Sequence, residues 1–213
     1  MAIMKPAHPI RLYGAKLSGH THRVLLLLNL LELPFETIEI NLSAGENKRP
    51  EFLTKNPFGQ IPVIEDGDTV LYDSNAILVY LATKYDDGRW LPRDALGATT
   101  VQRWFSMTAG AILRGPAFAR AINVFGAQRN YERAKTTAIA LFKLLDTDLH
   151  GKQFALGNAP TLADVAAYAY IAHAPEGGVS LDPYPNVCAW LRRIEALPRF
   201  VPMPVTKAGL LAE

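Results

Sequence analysis

Asn56-Pro57-Phe58-Gly59-Gln60-Ile61-Pro62-Val63-Ile64 is the stretch that decides how this chain folds. A proline has no N–H for a sheet ladder, so Pro62 marks the approach to a β-branched strand rather than its middle. An X-Pro bond is also one of the few peptide bonds that adopt the cis form at small cost. A cis Ile61-Pro62 bond would turn the N–H and C=O of Ile61 outward, where an extended peptide can pair with them. The stretch predicts a peptide-binding edge.

Downstream of it, Asp66-Gly67-Asp68 is a tight hairpin signal between extended runs at 61–65 and 70–72. Asp73-Ser74 then opens an amphipathic helix carried by Ile77, Tyr80 and Leu81. Upstream, residues 10–13 read as a short strand, and Val24, Leu28 and Leu31 repeat at i, i+4 and i+7 as one face of a helix ending near Glu32. Residues 35–40 alternate as a second strand, and 48–54 read as a short, irregular helix. Residues 1–85 therefore predict the order β-α-β-α-β-β-α, an α/β sheet whose last two strands are antiparallel.

The polar stretch 86–92 breaks the pattern and is the expected linker. From residue 93 onward there is no strand signal. Val101, Trp104, Phe105 and Ile112 mark one helix, and Leu141, Leu145 and Leu149 mark another that starts after Gly126. Thr161-Leu162-Ala163-Asp164 has the spacing of a capping box, with Asp in place of Glu, ahead of the apolar run 165–171. Val187, Trp190, Leu191, Ile194 and Leu197 supply the last strong helix. Residues 93–213 predict an all-helical domain.

Composition narrows the function. With 213 residues, 49% of them hydrophobic, the chain can bury a sizeable core. A net charge of +2, spread along the chain, lacks the basic stripe of a nucleic-acid binder. The opening residues lack an apolar signal core and no apolar run is long enough to span a bilayer, so the expected location is the cytoplasm, with no membrane association. The lone Cys188 excludes an internal disulfide and a Cys-x-x-Cys redox pair. If sulfur takes part in the chemistry, it comes from outside. The five histidines show no metal-ligand spacing. His20 and His22, two apart and so on different faces of a helix, are expected in surface or loop roles.

Two places can carry chemistry. Ser18 stands at the N-terminus of the first helix, where unpaired N–H groups and the positive end of the dipole favour an anion, and a bound thiol would ionise more easily there. The plain alternative is that Ser18 only caps the helix. At the head of the third helix, the N–H and hydroxyl of Ser74 suit a carboxylate and the carboxylate of Asp73 suits an ammonium, together the zwitterionic end of an amino acid. Here too the alternative is a plain cap.

These elements taken together resemble the cytosolic glutathione S-transferases over nearly the whole chain. The resemblance rests on Asn56-Pro57-Phe58-Gly59-Gln60-Ile61-Pro62, on Asp73-Ser74 before Ala76-Ile77, and on Thr161-Leu162-Ala163-Asp164 in the helical half. Tyr13-Gly14, Ser18 and Arg23-Val24 look most like the serine-type classes, the phi class above all, and Leu17 before the serine leaves no place for the beta-class cysteine. The fold implied is a thioredoxin-like βαβαββα domain at 1–85 and, after the linker, an all-helical C-terminal domain at 93–213. The activity implied is conjugation of glutathione, as a thiolate co-substrate and with no prosthetic group or metal, to a hydrophobic electrophile. Glutathione-dependent peroxide reduction and a non-catalytic binding or regulatory role are the alternatives.

Carried over residue by residue, the resemblance makes Ser18 the donor to the glutathione sulfur, with Tyr13 as its rival. Gln60 and the backbone of Ile61 would pair with the cysteinyl and γ-glutamyl parts, Pro62 would be the cis proline, and Asp73 and Ser74 would hold the γ-glutamyl end. Asn47 and Lys48 align with a His-Lys pair that holds the glycyl carboxylate, a pattern from which Asn47 departs. The electrophile site is expected between the loop carrying Ala15 and Leu17 and the first helix of the second domain, where Met107, Ala111 and Arg114 recur on one face. Phe58 matches an aromatic key that some classes insert into a partner subunit, which implies a homodimer.

Overall fold

The computed structural model describes residues 5–207. They divide into two compact units, the first running to Pro92 and including Pro198–Met203, the second covering Arg93–Leu197 and resuming at Pro204.

In the first unit, β1 (Ile10–Gly14), β2 (Phe35–Glu39), β3 (Val63–Asp66) and β4 (Thr69–Tyr72) form one sheet in the order β2-β1-β3-β4. β1 runs parallel to β2 and antiparallel to β3, and β3 and β4 form the antiparallel hairpin expected around Gly67. Alternation along the strands puts Leu12 opposite Ile64, both fully buried, on one face. Tyr13 and Val63 are on the other, clustered with Ile40 and Phe52. Phe52 belongs to α2 (Pro50–Leu53), while α1 (Gly19–Leu30) and α3 (Ser74–Tyr85) pack on each other.

Three boundaries differ from the sequence reading, each for a local reason. β3 begins at Val63 rather than at 61, because Pro62 has no ladder donor. The irregular helix at 48–54 resolves into a 3-10 turn at Glu46–Lys48 and α2. Arg49 between them is extended (φ −72°, ψ 149°), as the residue before a proline prefers. α1 stops at Leu30, and Glu32 beyond it has left-handed backbone (φ 55°).

α1 also corrects the histidines. His22 is buried rather than on the surface, and its Nε2 donates to the carbonyl of Val201 at 2.7 Å. His20 is partly buried. The segment Pro198–Met203 thus returns to the first unit, where Arg199, itself left-handed (φ 67°), pairs with Glu32.

Among its described residues, the regular structure of the second unit is helical apart from an isolated bridge between Phe154 and Gly157. One continuous helical stretch contains α4 (Ala95–Met107), a π-helical turn region at Thr108–Ala117 and α5 (Phe118–Phe125). Gly126, left-handed at φ 66°, terminates it. α6 (Tyr131–Asp148), α7 (Leu162–Ala172) and α8 (Pro185–Glu195) follow. Residues 162–171 of α7 are all buried, as befits a helix at the centre of its unit. The capping box forms at its start: Thr161 and Asp164 cap each other's backbone. Asp164 also accepts from Ala155 N and Trp190 Nε1, at 2.8 and 2.7 Å.

Candidate glutathione site

The site residues of the first unit lie at three backbone turns that the sheet and α1 hold together. At the first, Ser18 is the N-cap of α1 and its Oγ accepts from the N–H of Thr21 at 3.2 Å. That bond uses a lone pair. The hydroxyl proton is left for a second partner, so capping and donation to an anion are compatible. Ala15 and Leu17 in the preceding loop are partly buried.

Tyr13 is oriented differently. Its hydroxyl donates to Glu65 Oε2 at 2.8 Å, where Arg11 Nη1 also donates at 2.9 Å, and Lys55 Nζ binds Glu65 Oε1. Burial acts to raise the Glu65 pKa, but the hydrogen bonds from Lys55 and Tyr13 and the charges of Lys55 and Arg11 outweigh it and hold the carboxylate below its usual range. Burial and the bond to Glu65 push the Tyr13 phenol up. Tyr13 is a neutral donor committed to a neighbouring strand.

The second turn is 56–62. Buried Asn56 organises it, accepting from Phe58 N at 3.0 Å and donating to the Gln60 carbonyl at 2.8 Å. Asn47 Nδ2 donates to the Gly59 carbonyl at 2.7 Å and Lys48 Nζ to the Phe58 carbonyl at 3.1 Å. Gly59 sits at φ 58°, and a Cβ there would come within 2.7 Å of the Asn47 carbonyl oxygen, so only glycine fits. The Ile61-Pro62 bond is cis, with Pro62 buried, Ile61 partly buried and Gln60 exposed. Asn47 therefore has a partner inside the protein, and its amide fixes the loop that presents Gln60 and Ile61.

The third turn is Asp73-Ser74. Asp73 has left-handed φ (67°) and caps α3, with Oδ1 accepting from Asn75 N at 2.9 Å and Ala76 N at 3.0 Å. A non-glycine residue there is strained, and such strain concentrates at functional turns. Ser74 is buried, and fully buried Arg23 of α1 donates from Nη1 to Ser74 Oγ at 3.2 Å and to Asn75 Oδ1 at 2.9 Å. His20 Nδ1 stands 3.3 Å from the same Ser74 Oγ. Burial, with the Arg23 charge adding to it, pushes the His20 pKa down to about 3, so its imidazole is neutral at working pH. His20, Arg23, Asn56 and Asn75 went unassigned in the sequence reading. Asn56 opens the very stretch that decided the fold, and an Asn two residues before Phe58 is a turn-forming signal. For the other three, the bonds that join His20 and Arg23 to Ser74 and Asn75 span more than fifty residues, beyond the reach of a local signal.

In the second unit, Met107 ends α4 while Ala111 and Arg114 lie in the π-helical region. Bonds of the i→i+5 kind widen the turn in that region relative to the α-helix that the three- and four-residue spacing assumes. Met107 and Ala111 are partly buried and Arg114 is exposed. Among the described residues, no three His, Cys, Asp or Glu side chains gather as metal ligands, and no helix is long and apolar enough to cross a membrane.

Known proteins match this arrangement closely. The glutathione S-transferase N-terminal domain matches residues 17–84 and the C-terminal domain residues 103–198. Glutathione S-transferase 3 of Zea mays is 32% identical over 92% of this chain and 96% of its own. Glutathione S-transferase GstB of Escherichia coli is 30% identical over 92% of this chain and all of its own length (100%). The crystal structure of a glutathione S-transferase from Pseudomonas fluorescens superposes with a TM-score of 0.87 at 33% identity, covering 92% of this chain and 99% of that one. With both family domains in series and relatives aligned almost end to end, this chain belongs to the glutathione S-transferase family.

Proposed function

We propose that the protein binds glutathione at the three turns of its thioredoxin-like unit, ionises the thiol beside Ser18 and adds the thiolate to a hydrophobic electrophile. The observation that carries this reading is the division of labour between two hydroxyls: Ser18 uses a lone pair for its cap and keeps its proton, while Tyr13 gives its proton to Glu65. A thiol has a pKa of about 8.5, so each unit of depression raises the thiolate population several-fold near neutrality. The helix N-terminus adds its orphan N–H groups and dipole. Gln60 and the Ile61 backbone pair with the middle of the tripeptide, Asp73 takes the ammonium, Ser74 the γ-glutamyl carboxylate, and Lys48 the glycyl end. Asn47 serves by holding the 58–60 loop rather than by touching the peptide.

We read the electrophile as apolar and, on the sequence pattern alone, assign Ala15, Leu17, Met107, Ala111 and Arg114 to its recognition. A homodimer belongs to the same reading: Phe58 is 68% exposed and stacks edge-on against exposed Tyr72 of β4, one of the two edge strands, leaving an apolar knob at a sheet edge. We place the protein in the cytoplasm, where glutathione is abundant, in a detoxifying role. Ser18→Ala tests the assignment: glutathione binding persists while turnover of a chlorodinitrobenzene substrate is lost. Unchanged turnover in that variant rules Ser18 out as the activating residue.

A further inference from the structure

The contacts converging on Ser74 have a consequence for ligand recognition. A serine hydroxyl has one proton and two lone pairs. A guanidinium can only donate, so the bond from Arg23 Nη1 takes one lone pair. The third neighbour, His20 Nδ1 at 3.3 Å, either gives or accepts according to its tautomer. With Nδ1 bare, Ser74 spends its proton on the imidazole and can offer a ligand no O–H. With Nδ1 protonated, the imidazole fills the second lone pair, and the Ser74 proton has to point elsewhere. The first arrangement leaves the hydroxyl with nothing to offer an anion, whereas the second makes the Ser74 hydroxyl a pure donor.

We propose that His20 is a positioning residue for the glutathione carboxylate: its Nδ1–H and the Arg23 guanidinium saturate the Ser74 oxygen and turn the single Ser74 proton toward the γ-glutamyl carboxylate. The inference rests on the glutathione reading above. Its neutrality matters here, because a neutral ring carries one N–H and its placement is then a choice that the surroundings make. Arg23, fully buried, holds Ser74 Oγ and Asn75 Oδ1 from α1, the same helix that carries His20 and that Ser18 caps. One short helical segment thus orients the sulfur donor at one end and, through Ser74, the carboxylate donor at the other.

Calorimetric titration of glutathione into the wild-type protein, His20→Leu, His20→Asn, Ser74→Ala and the His20→Leu/Ser74→Ala double variant tests this. The expected loss in His20→Leu is about tenfold in affinity, with kcat at saturating glutathione nearly unchanged. His20→Asn, whose amide places an N–H close to the Nδ1 position, recovers most of that affinity. Adding His20→Leu to Ser74→Ala changes nothing further, because the histidine acts through the serine. Equal affinity in His20→Leu and wild type, or additive losses in the double variant, overturns the proposal. Wild-type protein that fails to bind glutathione overturns the site reading itself, an outcome visible before any variant is compared. Should His20→Leu fail to fold, nitrogen-15 NMR of the wild-type histidines in the glutathione complex decides: the Nδ1-protonated tautomer of His20 supports the proposal, and the Nε2-protonated one refutes it.

Discussion

Tyr13 donates its hydroxyl proton to Glu65 Oε2 across the β1–β3 pair, at 2.8 Å. That bond commits the tyrosine proton to the sheet, and on the reading proposed above the thiol falls to Ser18. Tyr13→Phe is expected to keep conjugation within about twofold of wild type and to lose about 1–2 kcal/mol of stability, read by steady-state kinetics and urea unfolding. Ser18→Ala reverses the pattern: kcat falls about a hundredfold, the usual result of removing a donor to a developing anion, for about 1 kcal/mol of cap.

Asn47→Ala removes the donor that pins the Gly59 carbonyl. The loop presenting Gln60 and Ile61 then loosens, and the expected result is a several-fold rise in KM for glutathione with a smaller change in kcat. Lys48→Ala raises the same KM, and its effect shrinks at high salt because the lost interaction is a screened charge. Parallel KM measurements at low and high ionic strength separate the two residues.

Two acid transitions follow from the first unit. Folded His20 titrates at about 3 against an ordinary 6.5, so between those values the unfolded chain binds the proton and the folded one does not. Stability therefore falls as pH is lowered through that window, by up to about 1.4 kcal/mol per unit, and His20→Asn removes that share. Glu65, held below the usual carboxylate range, keeps its contribution down to about pH 4 and loses it below as it is protonated. Glu65→Gln flattens only this lower limb. Urea midpoints measured from pH 7 to pH 3 resolve both.

Asp164 is buried and satisfies Thr161 N, Ala155 N and the Trp190 indole together. Burial pushes its pKa up, against the pull of those bonds. Asp164→Ala leaves all three donors buried without their acceptor, a loss of about 3 kcal/mol or more. Thermal melting should show it, with the specific activity of the remaining folded fraction unchanged.

Phe58→Asp puts a charge on the exposed ring position that the homodimer reading uses. Sedimentation velocity is expected to show monomers in place of dimers; an unaltered dimer places the interface elsewhere.

The α/β half was legible because its signals are short-range. Pro62, the Asp66-Gly67 turn and the caps at Ser18, Asp73 and Thr161 each act within a few residues, and each lies where its local chemistry requires. What sequence could not reveal is carried by distance. His20-Thr21-His22-Arg23 reads as polar surface, yet the segment is almost wholly inside, since the Ser74 and Asn75 side chains and the Val201 carbonyl meet it from far along the chain. Nor did the sequence announce the π-helical region at Thr108–Ala117: a change from i→i+4 to i→i+5 bonding leaves the residue types unchanged, and Pro116, which lacks an N–H, is the one local hint of it.

The return of Pro198–Met203 means that the first unit is knitted from two stretches far apart in sequence. A fragment ending at Pro92 would contain every residue proposed to touch the tripeptide, yet it would lack the Val201 carbonyl that His22, between His20 and Arg23 on α1, meets. Removing 198–203 would thus loosen α1 from behind, without altering any residue proposed to touch the tripeptide.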